Sequence, residues 1–337
     1  MDERRFRASW WCRGGHAQTL WPVLVQRRVG VVTREERLEL PDGDFVRLDW
    51  AGEGTGPIVI VLPGLQGGLT SHYVGRLLRA CMQRGWRALV LNHRGCGEPN
   101  RLPRGYHCGM TCDLEHLVAL LRERESDVPV AVVGYSLGAN IALKWVGEAG
   151  REGREVPVRA VAAVSAPLNL AKAARHLERG FSRIYQRHLL RSLYRDVEAK
   201  LRVMDCGLTI TPAELRRLNT FFKFDDRITA PLHGFASAAD YYERTRTDVL
   251  LRHIQRPTLI VNALDDPFIP PSVLPTADML SDQVMLEVVP TGGHVGFVEG
   301  RVPWRWRSWI DGRVMRFVAP HVECGERFVL TEGDAKS

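Results

Sequence analysis

Six short, nearly continuous apolar runs constrain this chain most: PIVIVLPG (57–64), WRALVLN (86–92), VPVAVVG (128–134), VRAVAAVSAP (158–167), RPTLIVNA (256–263) and QVMLEVVP (283–290). Apolar stretches of this length that stop at Gly, Pro or Asn are the pattern of strands buried on both faces. Segments of helical period lie between them, among them 72–85, 111–125 and 137–150. Strand and helix in alternation predict a mostly parallel, doubly wound α/β sheet. Two earlier stretches, 31–40 and 44–50, alternate apolar and polar residues around the turn signal Pro41-Asp42-Gly43, so an antiparallel hairpin is expected to open the sheet.

From about Leu168 to Leu250 the rhythm breaks and only helical periodicity remains. Residues 168–250 are therefore expected to form a helical lid inserted into a core of 57–167 and 251–337, after an N-terminal segment and hairpin at 1–56. Within the insertion Arg175, Arg179, Arg183, Arg187, Arg191 and Arg195 recur every fourth residue, with Leu177, Phe181, Ile184, Tyr185 and Leu189 interleaved and Gly180 interrupting the run. Near-helical spacing gives such a segment one charged and one apolar face. The charged face suits solvent or an anionic lipid surface, and the apolar face suits an acyl channel.

GYSLG (134–138) follows a buried strand and precedes a helix, the context that makes GxSxG a nucleophile elbow. A serine on so sharp a turn is pushed out of the fold. Side chains two residues to either side would collide with neighbouring backbone, which glycine avoids. The helix starting at Leu137 aims its N-terminal amides at the same place. A serine hydroxyl needs a base, and after such an elbow the partners follow in the order acid, then histidine. NALDDPF (262–268) supplies two adjacent aspartates at a strand end. Asp266, followed by Pro267, matches the acid position, while Asp265 suits the amides of the turn. TGGHVGF (291–297) places His294 in a glycine-rich loop after the last strand. LPGLQGG (62–68) can present the Leu65 amide opposite that of Leu137, the pair of donors an oxyanion needs.

With these pieces in place the chain resembles the α/β-hydrolase superfamily, and within it the YheT-like hydrolases, a bacterial group related to eukaryotic membrane-lipid hydrolases. The resemblance is carried by GGHAQTLWP (14–22), PGLQGG (63–68), NHRGCGEPNR (92–101), YHCGMTCDL (106–114), GYSLGAN (134–140), NALDDPF and GGHVGF (292–297), which span nearly the whole chain. It implies an α/β-hydrolase fold and serine hydrolysis of short- to medium-chain or lipid-like carboxylic esters, with Ser136, Asp266 and His294 as the triad. An acyltransferase on the same residues, or a silent hydrolase fold used for binding, are the other readings.

Composition narrows the partners. The net charge of +7 comes from arginines scattered among acids without a nucleic-acid-binding module, so nucleic acid is not expected as a partner. Seven cysteines, an odd number, and no apolar leader in MDERRFRASWW predict free thiols and a cytoplasmic location. His93, Cys96, His107, Cys108, Cys112 and His116 match no compact zinc spacing, and neither metal nor cofactor is expected.

Overall fold

The computed structural model describes residues 5–25 and 30–323. The tail beyond Leu330 and the first residues of the N-terminal segment lie outside the described residues. After helix α1 (Gly15–Val25) come β1 (Arg34–Glu39) and β2 (Phe45–Ala51), the expected hairpin. The six apolar runs become β3 (Ile58–Leu62), β4 (Arg87–Leu91), β5 (Val130–Tyr135), β6 (Ala160–Val164), β7 (Thr258–Ala263) and β8 (Val284–Val289). Helices α2 (Val74–Met82), α3 (Cys112–Arg124) and α4 (Leu137–Arg151) connect them, and α11 (Trp309–Glu323) is the last element among the described residues.

One eight-stranded sheet results, ordered β1-β2-β4-β3-β5-β6-β7-β8. β1 and β2 run antiparallel and β3 to β8 are parallel. The period of two along β3 divides the core. Ile58, Ile60 and Leu62 pack with α3 and α4, whereas Val59 and Val61 pack with α2 and α11. The chain leaves β3 toward β4 on one side and returns to β5 on the other, so the ends of β3 and β5 flank the switch point where open α/β sheets form their sites.

Between β6 and β7 every regular element is helical: α5 (Leu170–Leu177), α6 (Ser182–Val203), α7 (Pro212–Leu215), α8 (Phe221–Phe224), a π-helical turn (Asp225–Thr229), α9 (Ala230–His233), α10 (Ala238–Arg244) and a 3₁₀ turn (Leu251–His253). The arginine run is split at Gly180, whose φ of 50° is left-handed, so Arg175 lies in the last turn of α5 while Arg183 to Arg195 ride on α6. All six of these arginines are exposed.

Candidate active site

Ser136 is the single residue between β5 and α4. Its φ of 52° and ψ of −115° lie where side chains are strained, and such a backbone persists only when its surroundings over-determine it. They do so here: its N–H donates to the Val164 carbonyl (2.8 Å) and its carbonyl accepts from the Asn140 N–H (3.1 Å). A Cβ on Gly134 would stand 2.4 Å from the Gly138 oxygen and 2.6 Å from Ala139 Cα, and one on Gly138 would stand 2.2 Å from the Leu62 oxygen. The first turn of α4 and the end of β3 therefore exclude any side chain at the two glycines.

β7 ends at Ala263 and delivers both aspartates, which the structure separates. Asp266, its side chain fully buried, approaches His294 Nδ1 with Oδ2 at 2.9 Å and Oδ1 at 3.1 Å. Oδ1 also accepts the Phe268 N–H (2.8 Å), and the Phe268 ring stacks on the imidazole at 4.1 Å. Asp265 instead accepts the Gly292 and Gly293 amides at 2.8 and 2.9 Å, bracing the loop that carries the histidine. Burial pushes the Asp265 carboxyl above the usual range, against the pull of those two amides. On the far side of the ring, His294 Nε2 lies 2.9 Å from Ser136 Oγ. With the proton on Nδ1 toward the carboxylate, Nε2 offers its lone pair to the serine hydroxyl, the arrangement of a base poised beside its nucleophile.

Several residues that hold this geometry have roles that local sequence patterns do not reveal. The GGHAQTL segment forms α1, which packs against the histidine loop. Thr19 Oγ1 accepts the His294 N–H at 2.9 Å, and Gln18 both accepts from the Val298 N–H (2.6 Å) and donates to its carbonyl (3.2 Å). Gly15 is required there, because a Cβ would fall 1.7 Å from the Asp265 oxygen. Ser165, with a φ of 52° and no exposed surface, accepts the Val295 N–H at 3.1 Å.

The turn after β3 is held from three directions. Tyr73 OH accepts the Gly64 N–H (2.9 Å), Tyr106 OH accepts the Gln66 N–H (3.0 Å), and the His93 ring donates from Nε2 to the Pro63 carbonyl (2.9 Å). Burial keeps His93 below its usual pKa, hence neutral, and the Pro63 carbonyl only partly offsets this. Between these anchored positions the Leu65 amide has no acceptor among the described residues. Leu137, as the first residue of α4, also leaves its amide without an intrahelical partner.

Ser136, Leu137, His294 and Leu65 line a cavity of about 1010 Å³ roofed by the helices of residues 168–250. Leu177, Phe181, Ile184, Tyr185 and Leu189 all contribute to its wall, while their interleaved arginines point away. Among the described residues no group of three His, Cys, Asp or Glu side chains is arranged to hold a metal, and each described cysteine is a free thiol.

Residues 57–301 match the family model described as "alpha/beta hydrolase fold". The chain belongs to the α/β-hydrolase family. Within it, this hydrolase is 40% identical over 313 residues to "Putative esterase YheT" of Escherichia coli (strain K12), covering 91% of each chain. It is 31% identical to "Embryogenesis-associated protein EMB8" of Picea glauca (88% of this chain, 67% of the relative). It is 29% identical to "Phospholipase ABHD3" of Mus musculus (94% and 78%). The α/β-hydrolase architecture also superposes on the Pyrococcus furiosus esterase Pf2001 with a TM-score of 0.55 at 16% identity, covering 87% of this chain and 93% of that one.

Proposed function

We propose that the chain is a serine hydrolase that cleaves carboxylic esters through Ser136, His294 and Asp266. The observation that carries this reading is the unbroken hydrogen-bonded series from Asp266 through His294 to Ser136, opening into a largely apolar cavity. Ser136 Oγ attacks the ester carbonyl carbon as His294 Nε2 takes its proton, and Asp266 stabilises the imidazolium that forms. The Leu65 and Leu137 amides receive the developing oxyanion. Collapse of the tetrahedral intermediate breaks the bond to the alcohol, which leaves with the proton from His294. Water then repeats the sequence on the acyl-enzyme and restores the serine. The printed names of the Escherichia coli and mouse relatives, an esterase and a phospholipase, support the reaction class.

The test is turnover of a 4-nitrophenyl ester series from acetyl to dodecanoyl, with products identified in the presence and absence of an alcohol or thiol acceptor. Carboxylic acid as the product is the expected result; acyl transfer to the acceptor would make the chain an acyltransferase, and no turnover of any member would make it a binding protein.

In this account the 168–250 segment acts as a lid. Its apolar residues receive the acyl chain, so Phe181→Ala and Ile184→Ala are expected to move the chain-length optimum across the same series. No helix among the described residues is long and apolar enough to cross a membrane. The exposed arginines of α6 instead suit peripheral contact with an anionic lipid surface. Reversing the charge at Arg183 and Arg187 should weaken binding to phosphatidylserine vesicles by about 1 kcal/mol per charge. A wild-type chain that ignores those vesicles, or binding indifferent to the reversals and to salt, would reduce α6 to a solvated cover.

A further inference from the structure

We infer that the wall of the cavity formed by the π-helical turn is a subsite for a cationic, ammonium-bearing part of the substrate, with Asp225 as its counter-ion. That the ammonium belongs to an ester rests on the hydrolase reading above; the binding chemistry does not.

Asp225 opens the π-helical turn that follows α8 and lines the same cavity as Ser136. Its carboxylate accepts hydrogen bonds from Thr229 Oγ1 and Tyr242 OH, both at 2.7 Å. Both donors are neutral. Among the described residues no Lys, Arg or His forms an ion pair with it, although it is half-buried in the cavity wall. Burial pushes this carboxyl up to about 6, with the two hydroxyls pulling the other way, so the ionised form still predominates at pH 7. A carboxylate largely withdrawn from water without a cation beside it is costly and is normally paired.

The Lys and Arg side chains that line the cavity are already engaged. Lys200 donates to Asn100 Oδ1 (2.5 Å) and to the carbonyls of Leu102 (2.8 Å) and Pro103 (3.1 Å), and Arg94 is bidentate to Asp113. The cavity's other lid carboxylate, Asp196, is taken by Gln66 Nε2 at 2.6 Å. Asp225 is thus left with room for a positive partner supplied by a ligand.

The surrounding surface suits an ammonium group. Phe221, Phe224, Tyr241 and Tyr242 line the cavity on the same side, with the two tyrosine rings 5.3 Å apart. Aromatic faces beside a carboxylate attract a weakly hydrated cation. The wall is also tied to the nucleophile's helix: Tyr241 OH accepts the Cys108 N–H (3.0 Å), and the Cys108 carbonyl accepts from Asn140 Nδ2 (3.1 Å), one turn along α4 from Ser136. Tyr185 also lines the cavity, its ring 5.0 Å from that of Phe268, which stacks on His294. An ester bound at Ser136 can therefore lay an apolar chain toward Tyr185 and a cationic group toward Asp225.

The test compares butyrylcholine with 3,3-dimethylbutyl butyrate, its uncharged carbon counterpart. The wild-type chain should show kcat/KM at least about tenfold higher for the charged ester, and in Asp225→Asn that ratio should fall toward one. Asparagine is nearly isosteric and keeps an acceptor for Tyr242 or Thr229. The comparison of the two esters on the unaltered chain stands even if the variant does not fold. Calorimetry on Ser136→Ala supplies an arm free of turnover: butyrylcholine should bind at least about tenfold more tightly than to the Ser136→Ala, Asp225→Asn double variant. Equal handling of the two esters, or a ratio and an affinity indifferent to Asp225, would overturn the subsite. If neither ester is cleaved but Asp225-dependent binding persists, the hydrolase reading falls and the subsite stands.

Discussion

Ser136→Ala is expected to lower kcat on an activated ester by about 10⁴ to 10⁶ while the protein stays folded, the usual cost of removing one member of a catalytic triad. The local geometry makes this a clean substitution. Alanine carries the same Cβ into the same left-handed backbone at φ 52°, so the strain at the elbow is unchanged, and both backbone hydrogen bonds at this position remain. Only Oγ is lost, and with it the 2.9 Å contact to His294 Nε2. Steady-state kinetics on 4-nitrophenyl acetate alongside a melting curve checks both halves of the expectation. Retention of more than roughly a tenth of the wild-type rate would remove Ser136 from the mechanism.

The two aspartates should separate by what each loses. Asp266→Asn should cost about 10⁴ in kcat with melting nearly unchanged, because an amide in that place reverses the tautomer. Oδ1 of Asp266 already accepts the Phe268 N–H, so an asparagine that keeps that bond turns its NH₂ toward His294 Nδ1. The imidazole must then carry its proton on Nε2, facing the serine hydroxyl it is meant to deprotonate. Asp265→Ala acts on a different quantity, stranding the Gly292 and Gly293 amides at a cost of about 1–3 kcal/mol in stability. The reverse pattern, turnover lost at Asp265 and stability at Asp266, would exchange the two roles.

How far the sequence was legible follows from the range of the forces involved. The strands were readable because burial on both faces leaves no polar position in a run such as IVIVL, and the hairpin because its alternation brackets Pro41-Asp42-Gly43. Gly134 and Gly138 were predicted to be excluded from bearing side chains, and the close backbone atoms around them give the reason. Asp266 could be preferred to Asp265 but not separated from it, because the choice depends on how the aspartate and histidine loops meet in space.

Non-local support was invisible for the same reason. Thr19 and His294 stand 275 residues apart, and nothing around Thr19 announces that it holds a histidine loop. His93 and Tyr106 stand in recognisable motifs, yet their work on the turn after β3 appears only once their rings stack at 4.8 Å beneath it. Asp225 lies in a stretch that reads as ordinary helix. Its π-helical turn and its lack of an ion-pair partner among the described residues are tertiary properties.

The most direct measurement of the central claim is covalent labelling of the wild-type chain with a fluorophosphonate, followed by mass spectrometry of the digested adduct. The reagent reports nucleophilicity at one serine oxygen and needs no knowledge of the natural ester. A single phosphonylated serine, Ser136, is expected, with labelling slowed in Asp266→Asn and lost in His294→Ala. No adduct at Ser136, or an adduct formed equally fast without His294, would contradict it.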